Sequence, residues 1–396
     1  MFNIILLGIT SLLTDISSEM IYPILPAFLV TTLGASPAIL GLIEGIAESL
    51  ASLLKVFSGY FSDKVKLRKP FTVFGYAASA AGKFILFLAT NWGLVLFGRT
   101  VDRFGKGVRT APRDALIAES SAAGKRGAAF GLHRAMDTGG AVIGVLIAYF
   151  LLTRYQGALK EVFLFSLIPA LLGVGILFFV REKRAAVTHP GAAKPGSLRA
   201  AVQAEPGGRI AGKWSRLDKR LKLFLAFTFI FTLGNSSNQF LLLRAQNLGN
   251  PLTVVILLYL VYNISYALSA YPAAWLSDRI GRKKLLVAGY FFYSLVYLGF
   301  ALNNSAQGFW FLFAVYGLHI GFTEGAEKAL VSDIAPRELR ATAIGMHAAL
   351  EGIGLLPASL CAGLLWKFIG PSAAFYFGSL MGLIAAIGFW RVLKGV

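Results

Sequence analysis

Two stretches decide the fold of this chain, Gly59-Tyr-Phe-Ser-Asp63-Lys64 and Ala274-Trp-Leu-Ser-Asp278-Arg279. Each follows an apolar segment and carries a small residue, a Ser-Asp pair and a basic residue at the same spacing. Two further pairs of stretches match: Arg126–Asp137 with Arg340–Glu351, and Ala115–Glu119 with Ala329–Asp333. The two further pairs share an offset of 214 residues (340 minus 126, 329 minus 115). The pair of stretches around Asp63 and Asp278 is offset by 215 residues (278 minus 63). The chain therefore contains two copies of one unit.

The composition excludes a water-soluble domain. Of 396 residues, 56% are hydrophobic and 14% are charged, whereas a soluble protein is about 45–50% apolar and about 25% charged. A disordered chain is excluded for the same reason. Apolar runs of about 20 residues, enough to cross about 30 Å of hydrocarbon, recur from end to end. The sequence predicts an all-α polytopic membrane protein.

The apolar runs predict twelve transmembrane helices in two six-helix bundles. Their approximate ranges are 4–31, 39–61, 71–89, 92–118, 127–152, 162–181, 222–244, 252–277, 285–303, 308–334, 340–366 and 372–393. The polar stretch 182–221 is interpreted as a basic cytoplasmic linker between a first bundle, 1–181, and a second, 222–396. Its end, 214–221, is predicted to form an amphipathic helix on the membrane surface. The first run lacks a basic n-region and a cleavage site, so we interpret it as a span and not as a signal.

The basic residues indicate how the chain is oriented. The 38 Lys and Arg residues outnumber the 19 Asp and Glu residues, and a basic protein can bind nucleic acid. Here, however, the charge lies in short loops between apolar runs, which excludes that partner. The loops on one side carry most of it, and the positive-inside rule therefore predicts cytoplasmic termini in a multi-pass protein of the plasma (inner) membrane.

Twelve spans, a six-plus-six parallel repeat and a basic central linker resemble the major facilitator superfamily of secondary transporters. The loop Gly59–Pro70 is similar to the family signature Gly-x-Leu-x-Asp-Arg-x-Gly-Arg-Lys, and Asp278–Lys284 fits better because it keeps the inner glycine. In the family this loop latches the two halves in one conformation. The resemblance implies a latch formed by Gly59, Asp63, Lys64, Asp278 and Arg279. We expect its carboxylate to cap a neighbouring helix N-terminus.

Two partial signatures concern energy coupling and direction. Arg99-x-x-Asp102-Arg103-x-Gly105 resembles the family element Arg-x-x-Gln-Gly-x-Gly, which is linked to proton coupling, with Asp and Arg replacing Gln and Gly. Gly131, Gly140 and Gly144 keep the spacing of the family's antiporter motif, with Val145 in place of its proline. The resemblance therefore favours a proton-coupled exporter. The alternative is that these small residues only allow close helix packing.

The fourth span carries a basic face. Arg99, Arg103, Lys106 and Arg113 are spaced by 4, 3 and 7 residues, which places them on one side of an α-helix. A charge at mid-bilayer costs about 2.5–3.5 kcal/mol, so this face must line a cavity or contact other charges. A net positive face would favour an anionic substrate group. The alternative is neutralisation by the carboxylates of Asp15, Glu19, Glu44, Glu48 and Asp137.

A second set of ionisable residues forms pairs four residues apart, on one helix face. The pairs are Asp15/Glu19, Glu44/Glu48, His133/Asp137 and His347/Glu351, and the tenth span adds Glu324 and Glu327. A carboxylate in a low-dielectric cavity can exchange a proton near neutral pH. We therefore predict that these residues, with Arg99, Asp102 and Arg103, surround a cavity for substrate and coupling protons. A structural ion pair is the alternative for each residue.

Other chemistries lack the residues they need. Cys361 is the single cysteine, which excludes a disulfide framework, and His133, His319 and His347 lie on different spans without the spacing of a zinc site. The sequence has no Gly-x-x-x-x-Gly-Lys-Ser/Thr phosphate loop. We expect no metal, no cofactor and no enzymatic activity, and a monomer in the lipid bilayer.

The leading hypothesis is a proton-coupled secondary transporter that moves a small solute by alternating access, with efflux by antiport favoured. Uptake or exchange of an organic anion is the alternative within this class. A membrane receptor or enzyme without transport is a remote alternative.

Overall fold

A computed structural model of the chain describes residues 2–65, 67–121, 126–182, 219–335 and 340–392. The described part is helical and contains no strand. Its helices are α1 (Phe2–Ile21), α2 (Pro37–Val65), α3 (Lys69–Leu88), α4 (Trp92–Ser120), α5 (Arg126–Arg154), α6 (Leu159–Leu177), α7 (Lys219–Gly234), α8 (Gln239–Asn247), α9 (Leu252–Ile280), α10 (Arg282–Leu302), α11 (Gly308–Ile334), α12 (Arg340–Phe368) and α13 (Pro371–Val392). The amphipathic helix predicted at 214–221 lies almost entirely outside these residues.

Each predicted span coincides with helix in the structure, which confirms the fold class. Eight of the described helices are long and apolar enough to cross a membrane by length and composition alone. The long helices α2 and α4 are not among these eight because charged residues interrupt their apolar faces. A charged helix of this length is compatible with a bilayer only where other helices cover its polar side.

Two spans are irregular where sequence reasoning expected continuous helix. After α1, a short 3₁₀ turn at Tyr22–Ile24 and a π turn at Phe28–Thr32 continue the first span, because prolines at 23 and 26 lack the amide hydrogen that a helix needs. The seventh span, predicted as 222–244, is instead broken between α7 and α8. The two irregular spans are equivalent in the repeat, so each half has one interrupted helix at the same place.

The helix packing repeats between the halves. In the first half α1 packs on α5 and α6, α2 packs on α4, and α3 packs on α4 and α6. In the second half α7 packs on α12 and α13, α9 packs on α11, and α10 packs on α11 and α13. These are the same pairs once α7 and α9–α13 replace α1–α6 in order. The parallel repeat read from the motifs is therefore present in three dimensions.

The halves meet along two symmetry-related seams, α2 against α12 and α5 against α9. At the first seam Gly41 lies against the backbone carbonyl of Ser359, and Gly363 lies against the carbonyl of Pro37. The Ser49 hydroxyl donates to the Gly352 carbonyl at 2.6 Å. These contacts lie in the half of α2 nearest its start, on the membrane side opposite the start of α1. The halves are closed together on that side.

We expect Gly41→Ala to lower the free energy of unfolding in mixed detergent micelles by about 1–3 kcal/mol, the usual range for overpacking. The added methyl group would meet the Ser359 carbonyl, a backbone atom that cannot turn aside. Gly131→Ala is the matched control, because a Cβ there meets no atom within 4 Å. Equal stabilities for the two variants would contradict the close seam.

Candidate functional site

A buried ion pair joins α4 to α2 at the centre of the first half. Arg99 donates from Nε and Nη2 to Glu44 Oε1 at 2.9 and 2.7 Å. The exposed fractions are 3% for Arg99 and 0% for Glu44. The other carboxylate oxygen of Glu44 accepts from the Ser237 hydroxyl at 3.3 Å. Because Ser237 lies between α7 and α8, this network connects the two halves.

Asp102 is a second buried carboxylate among cations. Its Oδ2 lies 3.5 Å from Arg99 Nη1 and 3.9 Å from Arg103 Nε. Lys83 of α3, which is 1% exposed, also interacts electrostatically with Asp102. Arg103 pairs with Glu48 of α2 at 3.3 Å. The carboxylates of α2 and α4 thus neutralise both arginines, so the structure favours the neutralisation alternative.

Lys106 differs from Arg99 and Arg103 of the basic face because it is not buried. Its side chain is exposed and lies within electrostatic reach of Asp15, Glu19 and Glu48. These three carboxylate residues are only partly buried. Glu19 also accepts from the Tyr259 hydroxyl of α9 at 2.8 Å. The structure therefore gathers the predicted carboxylates of α1 and α2 around one lysine, beside the second half.

The predicted His–carboxylate pairs form in both halves. His133 Nδ1 lies 3.4 Å from Asp137 Oδ2, and His347 Nδ1 lies 3.3 Å from Glu351 Oε2. Glu327 joins the second pair, with its Oε2 4.0 Å from His347 Nε2. The side chain of Glu324 lies outside the described part of the chain. The paired positions therefore contact each other within each half, and α12 carries its pair beside the α2 seam.

Asp63 contacts a basic residue of its own half. It forms an ion pair with Arg68, and Arg68 Nε also lies 3.3 Å from Glu119. The N-terminus of α3 is capped by Glu182, which accepts from the amides of Arg68 and Lys69 at 2.5 and 3.1 Å. Capping of another helix N-terminus by Asp63 stays a prediction.

The other predicted latch residues are only partly described. Gly59 lies against Ala111 of α4, whereas Lys64 and Arg279 are exposed. The side chain of Asp278 lies outside the described part. An interlock between the halves at this loop stays a prediction.

Sequence reasoning missed five residues of these networks: Lys83, Glu182, Ser237, Tyr259 and Tyr290, whose hydroxyl donates to Glu327 at 2.6 Å. Lys83 could have been noticed as a charge within the third predicted span. The serine and the tyrosines occur in apolar surroundings at no particular spacing. Their roles depend on which helices face each other across the halves.

The sequence profile of the Major Facilitator Superfamily matches residues 7–243 and, a second time, residues 223–395. The chain belongs to the major facilitator superfamily. It is 40% identical over 392 residues to an uncharacterised MFS-type transporter of Methanocaldococcus jannaschii, which covers 97% of this chain and 93% of the relative. It is 32% identical over 126 residues to multidrug resistance protein 2 of Bacillus subtilis, covering 32% of this chain and 31% of that protein.

Solved structures agree with this fold. The nucleoside transporter NupG matches with a TM-score of 0.78 at 15% identity, covering 100% of both chains. A D-xylose–proton symporter matches with a TM-score of 0.74 at 18% identity, covering 98% of this chain and 97% of the other. At these identities the likeness establishes the fold. Membership of this superfamily makes the protein a transporter and not an enzyme.

We expect Lys106→Cys, in a Cys361→Ser background, to react with a charged, membrane-impermeant thiol reagent, because its side chain is exposed beside several carboxylates. Val95→Cys on the same helix is the matched control and should stay unmodified, since Val95 is 0% exposed. Mass spectrometry of the purified variants measures both. An unreactive cysteine at position 106 would place this face against lipid.

Proposed function

We propose that this protein is a proton-coupled antiporter that exports a small organic solute, cationic or amphipathic, through the space between its halves. The observation that carries the proposal is the group Asp15, Glu19 and Glu48 around Lys106, at the interface with α9. We take the cytoplasmic side to be the one that bears the termini and the linker, as the positive-inside rule indicates.

Protonation can change the contact between the halves at two carboxylates. Glu19 accepts from Tyr259 and Glu44 accepts from Ser237, each across the interface. An ionised carboxylate only accepts hydrogen bonds, whereas a protonated one also carries a donor, and a bond to the charged form is roughly twice as strong as a neutral one. Loss of the charge therefore weakens these contacts, which is a physical route from proton binding to rocking of the halves.

The side chains at the interface favour a positively charged or amphipathic solute. The half-buried charged side chains at the interface are mainly acidic. Beside them the rings of Tyr22 and Tyr259 pack with their centroids 5.4 Å apart. Carboxylates pair with a cation, and aromatic faces attract one.

The organic-anion alternative loses its main support, because Arg99 and Arg103 are buried in ion pairs. Of the basic face of α4, Lys106 remains exposed, and on α5 the exposed Arg134 donates to the Tyr266 hydroxyl across the interface.

One observation supports export: a relative that matches a third of the chain is a multidrug resistance protein. The glycines that resemble the antiporter motif do not distinguish export from packing, because Gly140 and Gly144 lie against the backbone of α1 at Leu12 and Ile16.

Proteoliposomes with a trapped pH-sensitive dye and an acidic interior test this function. Addition of a transported cationic solute should make the interior less acidic as protons leave in exchange. Glu19→Gln should abolish this exchange, because it removes the charge that accepts from Tyr259 across the interface. Glu161→Gln, the same chemical change at the start of α6, is the matched control. Solute flux that ignores the pH gradient would contradict coupling, and flux of anions alone would contradict the solute class.

A further inference from the structure

The two halves carry equivalent polar clusters whose charges differ at one position. At the offset of 214 residues, Tyr76, Arg113, His133 and Asp137 correspond to Tyr290, Glu327, His347 and Glu351. The packing keeps this register, because Gly75 lies against Arg109 and the equivalent Gly289 lies against the equivalent Thr323. Three members of each cluster are alike, and the fourth is a guanidinium in one half and a carboxylate in the other.

In the second half the imidazole ring lies between two carboxylates. His347 Nδ1 is 3.3 Å from Glu351 and its Nε2 is 4.0 Å from Glu327. The Tyr290 hydroxyl donates to Glu327 at 2.6 Å, and Phe224 stacks on the imidazole with ring centroids 6.2 Å apart. Nδ1 is near Glu351, whereas Nε2 at 4.0 Å from Glu327 lies beyond hydrogen-bond distance. Two carboxylates beside one ring nevertheless attract a positively charged imidazolium.

In the first half a fixed cation takes the equivalent place. Arg113 bonds to Asp114 at 2.9 Å and to the Ser11 hydroxyl at 3.2 Å, and it interacts electrostatically with Asp137 and Tyr76. His133 therefore has a carboxylate on one side and a permanent positive charge nearby. Such a cluster does not need a mobile cation for its charge to be balanced.

We propose that the Glu327–His347–Glu351 cluster is an exchangeable proton site in the second half, separate from the interface carboxylates of the first half, and that Arg113 makes its counterpart in the first half a fixed copy that does not exchange. The proposal rests on the proposed function, because it adds a second location for coupling protons. The proton is held on the imidazole and shared between the two carboxylates. The helices packed around the cluster also carry the basic residues Lys55 and Lys222.

The position of the cluster connects it to the interface between the halves. The side chain of Glu351 is 36% exposed, whereas those of Glu327 and His347 are 12% and 3% exposed. Glu351 is thus the entrance and His347 the interior of the site. The next residue, Gly352, accepts the hydrogen bond from Ser49 across the α2 seam. A change of charge at Glu351 therefore acts one residue away from a contact that must break when the halves rock.

The three groups also have the chemistry of metal ligands. One ligand atom from each of Glu327, His347 and Glu351 lies within 4.8 Å of the other two, and histidine and carboxylate groups are ligands of zinc. The experiment therefore includes zinc as a competing occupant of the cluster.

Nitrogen-15 NMR of histidine-labelled protein in detergent tests the site without needing a substrate, and His347→Gln assigns the resonance. Wild-type protein should show His347 doubly protonated at neutral pH. Glu327→Gln and Glu351→Gln should each abolish that signal, whereas Glu327→Asp, which keeps the charge, should retain it. Asp137→Asn, the matched change at the equivalent position, should leave the His347 signal unchanged.

Three results would overturn the proposal. The first is a doubly protonated His347 that survives Glu327→Gln and Glu351→Gln. The second is loss of the proton signal on addition of zinc at micromolar concentration together with a raised melting temperature, which would make the cluster a metal site. The third is unchanged proton-driven exchange by Glu327→Gln in proteoliposomes. The two proposals can also fail separately. If His347 is doubly protonated as expected but wild-type protein shows no proton flux in proteoliposomes, the cluster binds a proton and the proposed coupled transport is refuted.

Discussion

The ion pair between Arg99 and Glu44 is the interaction on which the rest of the structure depends. A guanidinium inside a membrane protein must be paired, because an unpaired charge at mid-bilayer is costly. Glu44 supplies that partner from α2 and leaves its second oxygen to Ser237 of the other half. One carboxylate thus both pairs with Arg99 of α4 and contacts the second half. On the same face of α4, Asp102 and Glu48 pair with Arg103, and Lys106 is exposed.

The pseudo-twofold relation between the halves explains both the likeness and the difference of their sites. Equivalent helix pairs pack in each half, and two equivalent seams join them. The packing is similar, but the side chains differ. The first half gathers carboxylates around Lys106, whereas the second keeps a histidine between two carboxylates beside the α2 seam. A difference of this kind needs only a few substitutions, such as Arg113 in one copy and Glu327 in the other.

The sequence predicted the fold well and the site in part, for physical reasons. Spans and repeats are local or periodic features, and so are the pairs four residues apart, two of which form contacts in the structure. Contacts between halves have no such period, which is why Ser237 and Tyr259 were missed. The direction of the basic face was also ambiguous, because helical periodicity places residues on one side without saying what covers it. The break after Gly234 coincides with the loop-forming run Gly234-Asn-Ser-Ser-Asn238, and the ranges of the linker and the bundles stay predictions.

A double-mutant cycle at Arg99 and Glu44 measures how strongly the two side chains depend on each other. The free energy of unfolding would be measured in mixed detergent micelles for Arg99→Met, Glu44→Gln and the double variant. Each single change takes the nearest oppositely charged group from a buried charge, and breaking such a pair costs about 3–5 kcal/mol. If the ion pair holds α4 to α2, the double variant is no less stable than either single variant. Additive losses in the double variant would mean that the two groups act independently, which would contradict a central role for the pair.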